Sequence, residues 1–289
     1  MPEARAAVAS VNPAPVTHYE NFPVASWLCP PRLRAPIAAI YHFARTADDL
    51  ADEGHATAGQ RLADLQSYRQ DLAAAAAAQA PSARWPQVFG PLASAIAAHD
   101  LPLNLLTDLL DAFEQDVAMT RDHATFAHRA ALLDYCRRSA NPVGRLLLHL
   151  YGVHDAQALA QSDAVCSALQ LINFWQDLSV DLPRGRHYLS DADCAAHGVA
   201  RADLAALRRS AASDALIMDC AAWARALMLE GAPLVHRLPG RVGWELRLVV
   251  QGGLAVLGQV QALGGASLQL RPRLCAWHLP GMLWRAALM

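Results

Sequence analysis

The sequence predicts an all-α, single-domain protein, and three observations predict it. Alanine and leucine are abundant while β-branched alternation is almost absent. Apolar residues recur at three- and four-residue spacing from Ile37 to the C-terminus, and Pro, Gly or Asn punctuates most junctions between such stretches. Taken in order, the pattern places helices over 31–53, 57–79, 87–99, 102–120, 125–138, 142–152, 155–181, 201–232, 240–263 and 272–287. Pro81, Pro86, Pro102, Asn141-Pro142, Pro183 to Gly185, Pro233 and Pro239-Gly240 act as helix stops or starts, and none anchors a long linker. Ala73 to Ala78 reads as helix because alanine has the best helix propensity. The apolar run from Leu246 to Leu263 is interrupted by Gln251, Gly252, Gly253, Gly258 and Gln259, which suits a buried helix better than a bilayer span. The expected organisation is a flexible segment over 1–17 followed by one helical domain over 18–289.

Composition narrows the function classes. The 289 residues are 54% hydrophobic, enough for a sizeable core, and carry a net charge of −2 with no long basic run, which argues against a nucleic-acid partner. Six cysteines without a CxxC pair read as buried, reduced thiols, and the first 20 residues lack the apolar stretch of a secretory signal. A cytoplasmic protein is the expectation. No GxGxxG follows a strand, and Gly252-Gly253 and Gly264-Gly265 read as packing or capping glycines.

Two acidic rows carry the chemistry. Asp48-Asp49-Leu50-Ala51-Asp52-Glu53 and the later Asn173 to Asp181 each contain Asp residues four apart, about 6 Å along one helix face. Like charges at that spacing weaken a helix unless an ion compensates them. Asp48 and Asp52 are candidate Mg²⁺ ligands, with Asp49 beside them and Arg45 in the same polar stripe. Asn173, Asp177 and Asp181 form a second, all-oxygen set at i, i+4, i+8, suited to Mg²⁺ or Mn²⁺ and unsuited to zinc, with Gln170 at its edge. Arg184, Arg186 and Tyr188 follow at once, so this loop is expected to close over a metal-bound diphosphate. The alternative reading of both rows is a solvated polar stripe.

Four separated motifs carry a family resemblance: Glu20-Asn21-Phe22-Pro23-Val24, Phe43 to Asp49, Ser139 to Arg145, and Asn173 to Asp177. With them the chain resembles the squalene and phytoene synthase family from about His18 to Gly264, and within it the hopanoid-pathway hydroxysqualene synthases. The resemblance implies an isoprenoid-synthase helical bundle around a central hydrophobic cavity, with Mg²⁺ held by Asp48, Asp52, Asn173, Asp177 and Asp181. It also implies presqualene diphosphate (or farnesyl diphosphate) as substrate, pathway-enzyme neighbours as partners, and His18 on a diphosphate-contacting lid. Condensing members usually carry Arg before the first Asp of the second row and an acidic residue before its last, where this chain has Gln176 and Val180. That departure favours a single-diphosphate substrate quenched by water, with no NADPH.

Around this reading, Phe22, Tyr41, Phe174 and Trp175 are candidate cation-stabilising faces, with plain core as the alternative. Tyr135, Ser139 and Asn141 fall in the segment that lines the cavity in relatives, Tyr135 being the candidate to position the quenching water, and His42 and Asp116 are supporting neighbours. Leu270 to Leu274 and Trp277 to Arg285 form a weak interfacial-anchor pattern, so contact with the inner face of the cytoplasmic membrane is one expectation and a terminal packing helix another. The rival functions are a synthase that condenses two allylic diphosphates and a non-catalytic scaffold with the same fold.

Overall fold

The computed structural model describes residues 29–238 and 240–289, and every regular element among them is helical. α1 (Pro31–Asp52), α2 (Ala58–Ala76), α3 (Pro86–His99) and α4 (Leu103–Asp122) form one layer, and α5 (Arg129–Ser139) and α6 (Asn141–Leu150) lead into α7 (Ala156–Gln176). The short α8 (Leu178–Asp181), α9 (Asp191–Ala196) and α10 (Arg201–Ala205) precede the long α11 (Ala211–Gly231) and α12 (Arg241–Leu263), and α13 (Leu279–Leu288) ends the chain.

Local sequence explains the boundaries. Pro31 opens α1 and Gly54, in the left-handed region at φ 76°, turns the chain after it. Thr57 and Gln60 form a reciprocal capping box at the start of α2. Three expected helices are corrected. The helix expected over 201–232 is two, because Leu207 adopts a left-handed φ of 52° and Ser210 with Ser213 caps a fresh helix. The final helix starts at Leu279 instead of 272, and α9, capped by Ser190, was not anticipated. The helix expected through 181 bends at Asp177, which has φ −102° and ψ 13°, and Pro183 then denies the next turn a donor.

Two large apolar clusters make most of the interior, with a small third around Leu148, Ala158 and Leu234. One joins α1–α4 and α6 around Phe43, Tyr68 and Phe89, whose rings stack or tilt within about a ring's width of one another. The buried Tyr68 hydroxyl donates to the Phe43 carbonyl at 3.0 Å. The other joins α5, α7, α11 and α12 around Trp175, and burying each large side chain there stabilises the fold by about 1.5–3 kcal/mol. At Gly144 a Cβ would lie 2.4 Å from Ser162 Oγ and 2.6 Å from Cys166 Sγ, so glycine lets α6 lie directly on α7. Gly253 does the same for α12 against Leu169 and Met228, in keeping with the packing role expected of it. Five cysteines are buried and Cys275 is exposed. Among the described residues one segment, Arg241–Leu268, is long and apolar enough to cross a membrane by length and composition, and in this fold it packs on α7, α11 and α13.

Candidate active site

The two acidic rows reach the same region from different elements. On α1, Arg45 forms ion pairs with Asp48 at 3.2 Å, Asp49 at 2.8 Å and Glu53 at 2.9 Å, so the first row carries a cation from its own helix. One turn on, Asp52 accepts a hydrogen bond from Arg186, which belongs to the loop after α8. The same guanidinium lies 4.0 Å from Asp181, so Arg186 stands between a carboxylate of each row. Arg184 is exposed and near enough to Asp181 to oppose the rise of its pKa.

Asp177 is held from far away in the chain. Arg271, from the segment between α12 and α13, donates two hydrogen bonds to its carboxylate, one of them 3.0 Å long. Beside it the Gln176 amide donates to the Pro272 carbonyl at 2.8 Å. Gln176, expected to face substrate, is therefore a buried anchor for the C-terminal segment. The partner of Asp177 is unreadable locally: Arg271 lies 94 positions away, in a stretch whose Arg, Trp and Leu content points to an interface.

Below the carboxylates the aromatic residues converge. Tyr188 stacks on Phe174 with ring centroids 3.6 Å apart and planes within 6°, and Tyr135 and Phe126 complete the cluster. A cleft runs past these rings, bordered by Asp116, Thr120, Phe126, Arg186 and Tyr188. The Tyr135 hydroxyl donates to Asp116 at 2.6 Å. Burial pushes the Asp116 carboxyl up to about 7, the Asp48 and Asp52 charges adding to the rise against Tyr135 and Arg186. Burial likewise lifts Asp181 to about 6, opposed by Arg186 and reinforced by Asp177. Burial also raises the Tyr135 and Tyr188 phenols, keeping both protonated.

The remaining predicted residues divide. Asn173 and Gln170 are half-buried on α7, and the Asn173 carbonyl receives the Asp177 N–H at 2.9 Å. Tyr41 is half-buried on α1, edge-on to His42. Asn141 is buried at the start of α6 and accepts a hydrogen bond from the Ser167 hydroxyl at 2.9 Å, which ties α6 to α7. Arg145 pairs with Asp163 at 2.9 and 2.6 Å, again between α6 and α7, so much of the Ser139 to Arg145 motif serves helix packing. Trp175 is core. His18 and Phe22 lie outside the described residues, as does the segment over 1–17. Phe126 and Arg271 belong to the site and were not anticipated from sequence.

The metal assignment needs one correction of geometry. Among the described residues no three His, Cys, Asp or Glu side chains are gathered as a ready metal shell. The bend at Asp177 takes the second row off a straight i, i+4, i+8 line, and arginines stand among the carboxylates. The donor chemistry nevertheless fits a hard divalent cation: the α1 carboxylates help raise the pKa of Asp116 on α4 and, with Asp177, that of Asp181 on α8, and concentrated negative charge of that kind is what Mg²⁺ neutralises.

Comparisons with known proteins identify the relatives of the chain. The squalene/phytoene synthase family model matches residues 16–278. The hydroxysqualene synthase of Sinorhizobium fredii is 32% identical over 233 residues, 80% of this chain and 76% of that protein. The presqualene diphosphate synthase of Rhodopseudomonas palustris is 29% identical over 264 residues, 88% of this chain and 90% of that protein. The crystal structure of squalene synthase HpnC from Alicyclobacillus acidocaldarius superposes with a TM-score of 0.76 at 36% identity, covering 86% of this chain and 90% of the other. With the all-helical isoprenoid-synthase fold, two facing acidic rows and a family match along most of its length, the chain belongs to the squalene/phytoene synthase family.

Proposed function

We propose that this protein is a Mg²⁺-dependent hydroxysqualene synthase, which converts presqualene diphosphate and water to hydroxysqualene and diphosphate without NADPH. The observation that carries the reading is the state of Gln176. Where condensing relatives are expected to carry a cation, this chain has a neutral amide turned toward the Pro272 carbonyl, and Arg271 reaches Asp177 in its place. The similarity to the Sinorhizobium hydroxysqualene synthase supports the same choice.

Asp48, Asp52, Asn173, Asp177 and Asp181 would hold the metal, with Mn²⁺ as the substitute the same oxygens accept. Bound Mg²⁺ would supply Lewis-acid neutralisation of the diphosphate. The chain's own part is electrostatic. Arg45, Arg184 and Arg186 border the acidic rows and supply charge-assisted donors to a departing diphosphate, Arg186 by exchanging its carboxylate partners for phosphate oxygens. Once the C–O bond breaks, the positive charge left on the hydrocarbon lies near the faces of Phe174 and Tyr188, each worth about 0.5–2 kcal/mol to a cation. Tyr135, held by Asp116, has the hydroxyl to orient the quenching water, and Asp116, with its raised pKa, is placed to take up the proton relayed through it.

The test is product analysis by mass spectrometry, with presqualene diphosphate and farnesyl diphosphate in separate incubations with Mg²⁺ and no NADPH. A C30 alcohol from presqualene diphosphate, abolished by EDTA, is the expected result. Presqualene diphosphate made from farnesyl diphosphate would replace the reading with a condensing synthase, and absence of any metal-dependent turnover would favour a scaffold.

A further inference from the structure

Among the described residues α13 is the least covered helix. It packs on α12 through Ala286 and Met282, and leaves Leu279, Leu283, Trp284 and Leu288 exposed, Trp284 at 67%. Just before it, on a 3₁₀ turn, Trp277 is 91% exposed. On the neighbouring turn of α12, Trp244 is also exposed, and Arg247 stacks on its ring while reaching the Ala286 carbonyl. Large aromatic and aliphatic side chains so contiguous and so open are uncommon on a surface that meets only water. The packing helix expected as one reading of this segment buries chiefly Ala286.

After Glu245, which follows Trp244 on α12, the charges of the chain are of one sign. From Leu246 to Met289 there are four arginines and no acidic residue, although the chain as a whole is at −2. Arg271 is engaged with Asp177; Arg247, Arg273 and Arg285 form no ion pair among the described residues. A two-fold interface between copies of the chain would bring this arginine-bearing face against itself and leave the charges opposed. Lipid phosphates would complement them. α13 has ten residues, about 15 Å of helix, half the roughly 30 Å hydrocarbon core, so it suits lying in the interface and cannot cross it.

We propose that α13 and the turn before it dock the protein on the surface of an anionic lipid bilayer, with Trp277, Leu283 and Trp284 entering the headgroup boundary and Arg273 and Arg285 meeting the phosphates. The same segment begins at Arg271 and Pro272, on the border of the acidic site, so docking sets that border beside the lipid. The inference rests on the exposed surface and its charge, and does not depend on which diphosphate the site accepts.

Flotation of the full chain with vesicles of phosphatidylcholine, with and without phosphatidylglycerol, tests it. The chain should float with the anionic vesicles, W277S/W284S should lose about tenfold or more of that partition, and R273Q/R285Q should lose the preference for phosphatidylglycerol, the part of binding that salt screens. Quenching of tryptophan emission by brominated lipid in the unaltered chain supplies a readout that needs no variant. No flotation and no quenching in the unaltered chain overturns the proposal, as does equal partition of a folded W277S/W284S. A dimer by light scattering that W277S/W284S dissociates, with no vesicle binding, would instead make this face a subunit contact.

Discussion

The first acidic row lies on an unbroken helix and is countered chiefly by Arg45 of that helix, Arg186 reaching only its Asp52, whereas the second lies across a bend and is countered entirely from loops, by Arg186 and Arg271. The difference teaches where each half of the site gets its order. α1 sets the spacing of Asp48, Asp49 and Asp52 through its own hydrogen bonds and needs no tertiary partner to do so. Asp177 and Asp181 take their places only when the loop after α8 and the segment before α13 have packed. The second half of the site is thus coupled to the C-terminus, and the first is not.

The largest effect should come from the carboxylates. D52N and D181N should each lower Mg²⁺-dependent diphosphate release by about 10³-fold, read by a coupled phosphate assay. If D52N left activity within tenfold of the parent while D181N did not, the rows would differ in function as well as in support. Arg186 bridges both rows, so R186Q should cost about 10²-fold. Its loss should also make the two rows repel, which added Mg²⁺ should offset as a rise in melting temperature larger than in the parent.

Arg271 sharpens the comparison, since it serves only the second row. R271Q should lower turnover about tenfold and raise hydrogen exchange in the segment before α13, while leaving α1 as protected as before. R45Q should do the converse within α1.

The smallest effect concerns pH and stability. Asp116 titrates near 7 in the fold against an ordinary 3.8, so folding favours its protonated form. For a carboxyl with a raised pKa the folded state binds more protons than the unfolded state between those values, and stability falls as pH rises from about 4 to 7. D116N keeps an acceptor for the Tyr135 hydroxyl and removes the titration. It should therefore raise the melting temperature in EDTA at pH 8, with little change at pH 4, by differential scanning calorimetry. An equal gain at both pH values would mean that Asp116 is not the titrating group.

Much of this architecture is local and therefore legible. Apolar period and proline or glycine punctuation locate α1 to α6 to within a few residues, because capping and packing there follow neighbours in the chain. The acidic rows stand out for the same reason: like charges at i, i+4 beside apolar residues are visible without coordinates. The break at Leu207 needed a left-handed φ at a leucine, which composition does not announce. Asn141, a candidate for chemistry, and Arg145, the end of a recognised motif, both join α6 to α7, a contact the sequence did not show because a polar side chain's partner is set by whichever helix packs over it.

By itself, then, the sequence determined the helical class, the two carboxylate rows and the arginine-bearing loop, since each follows from periodicity and residue chemistry over a few turns. The tertiary structure alone decided that Gln176 anchors Pro272, that Arg271 reaches Asp177, that Arg186 stands between the rows, and that the tryptophans of the last segment stay in the open. Those four facts rest on contacts between residues distant in the chain, or on the lack of a covering element among the described residues, and the free energy that selects them is that of the assembled fold.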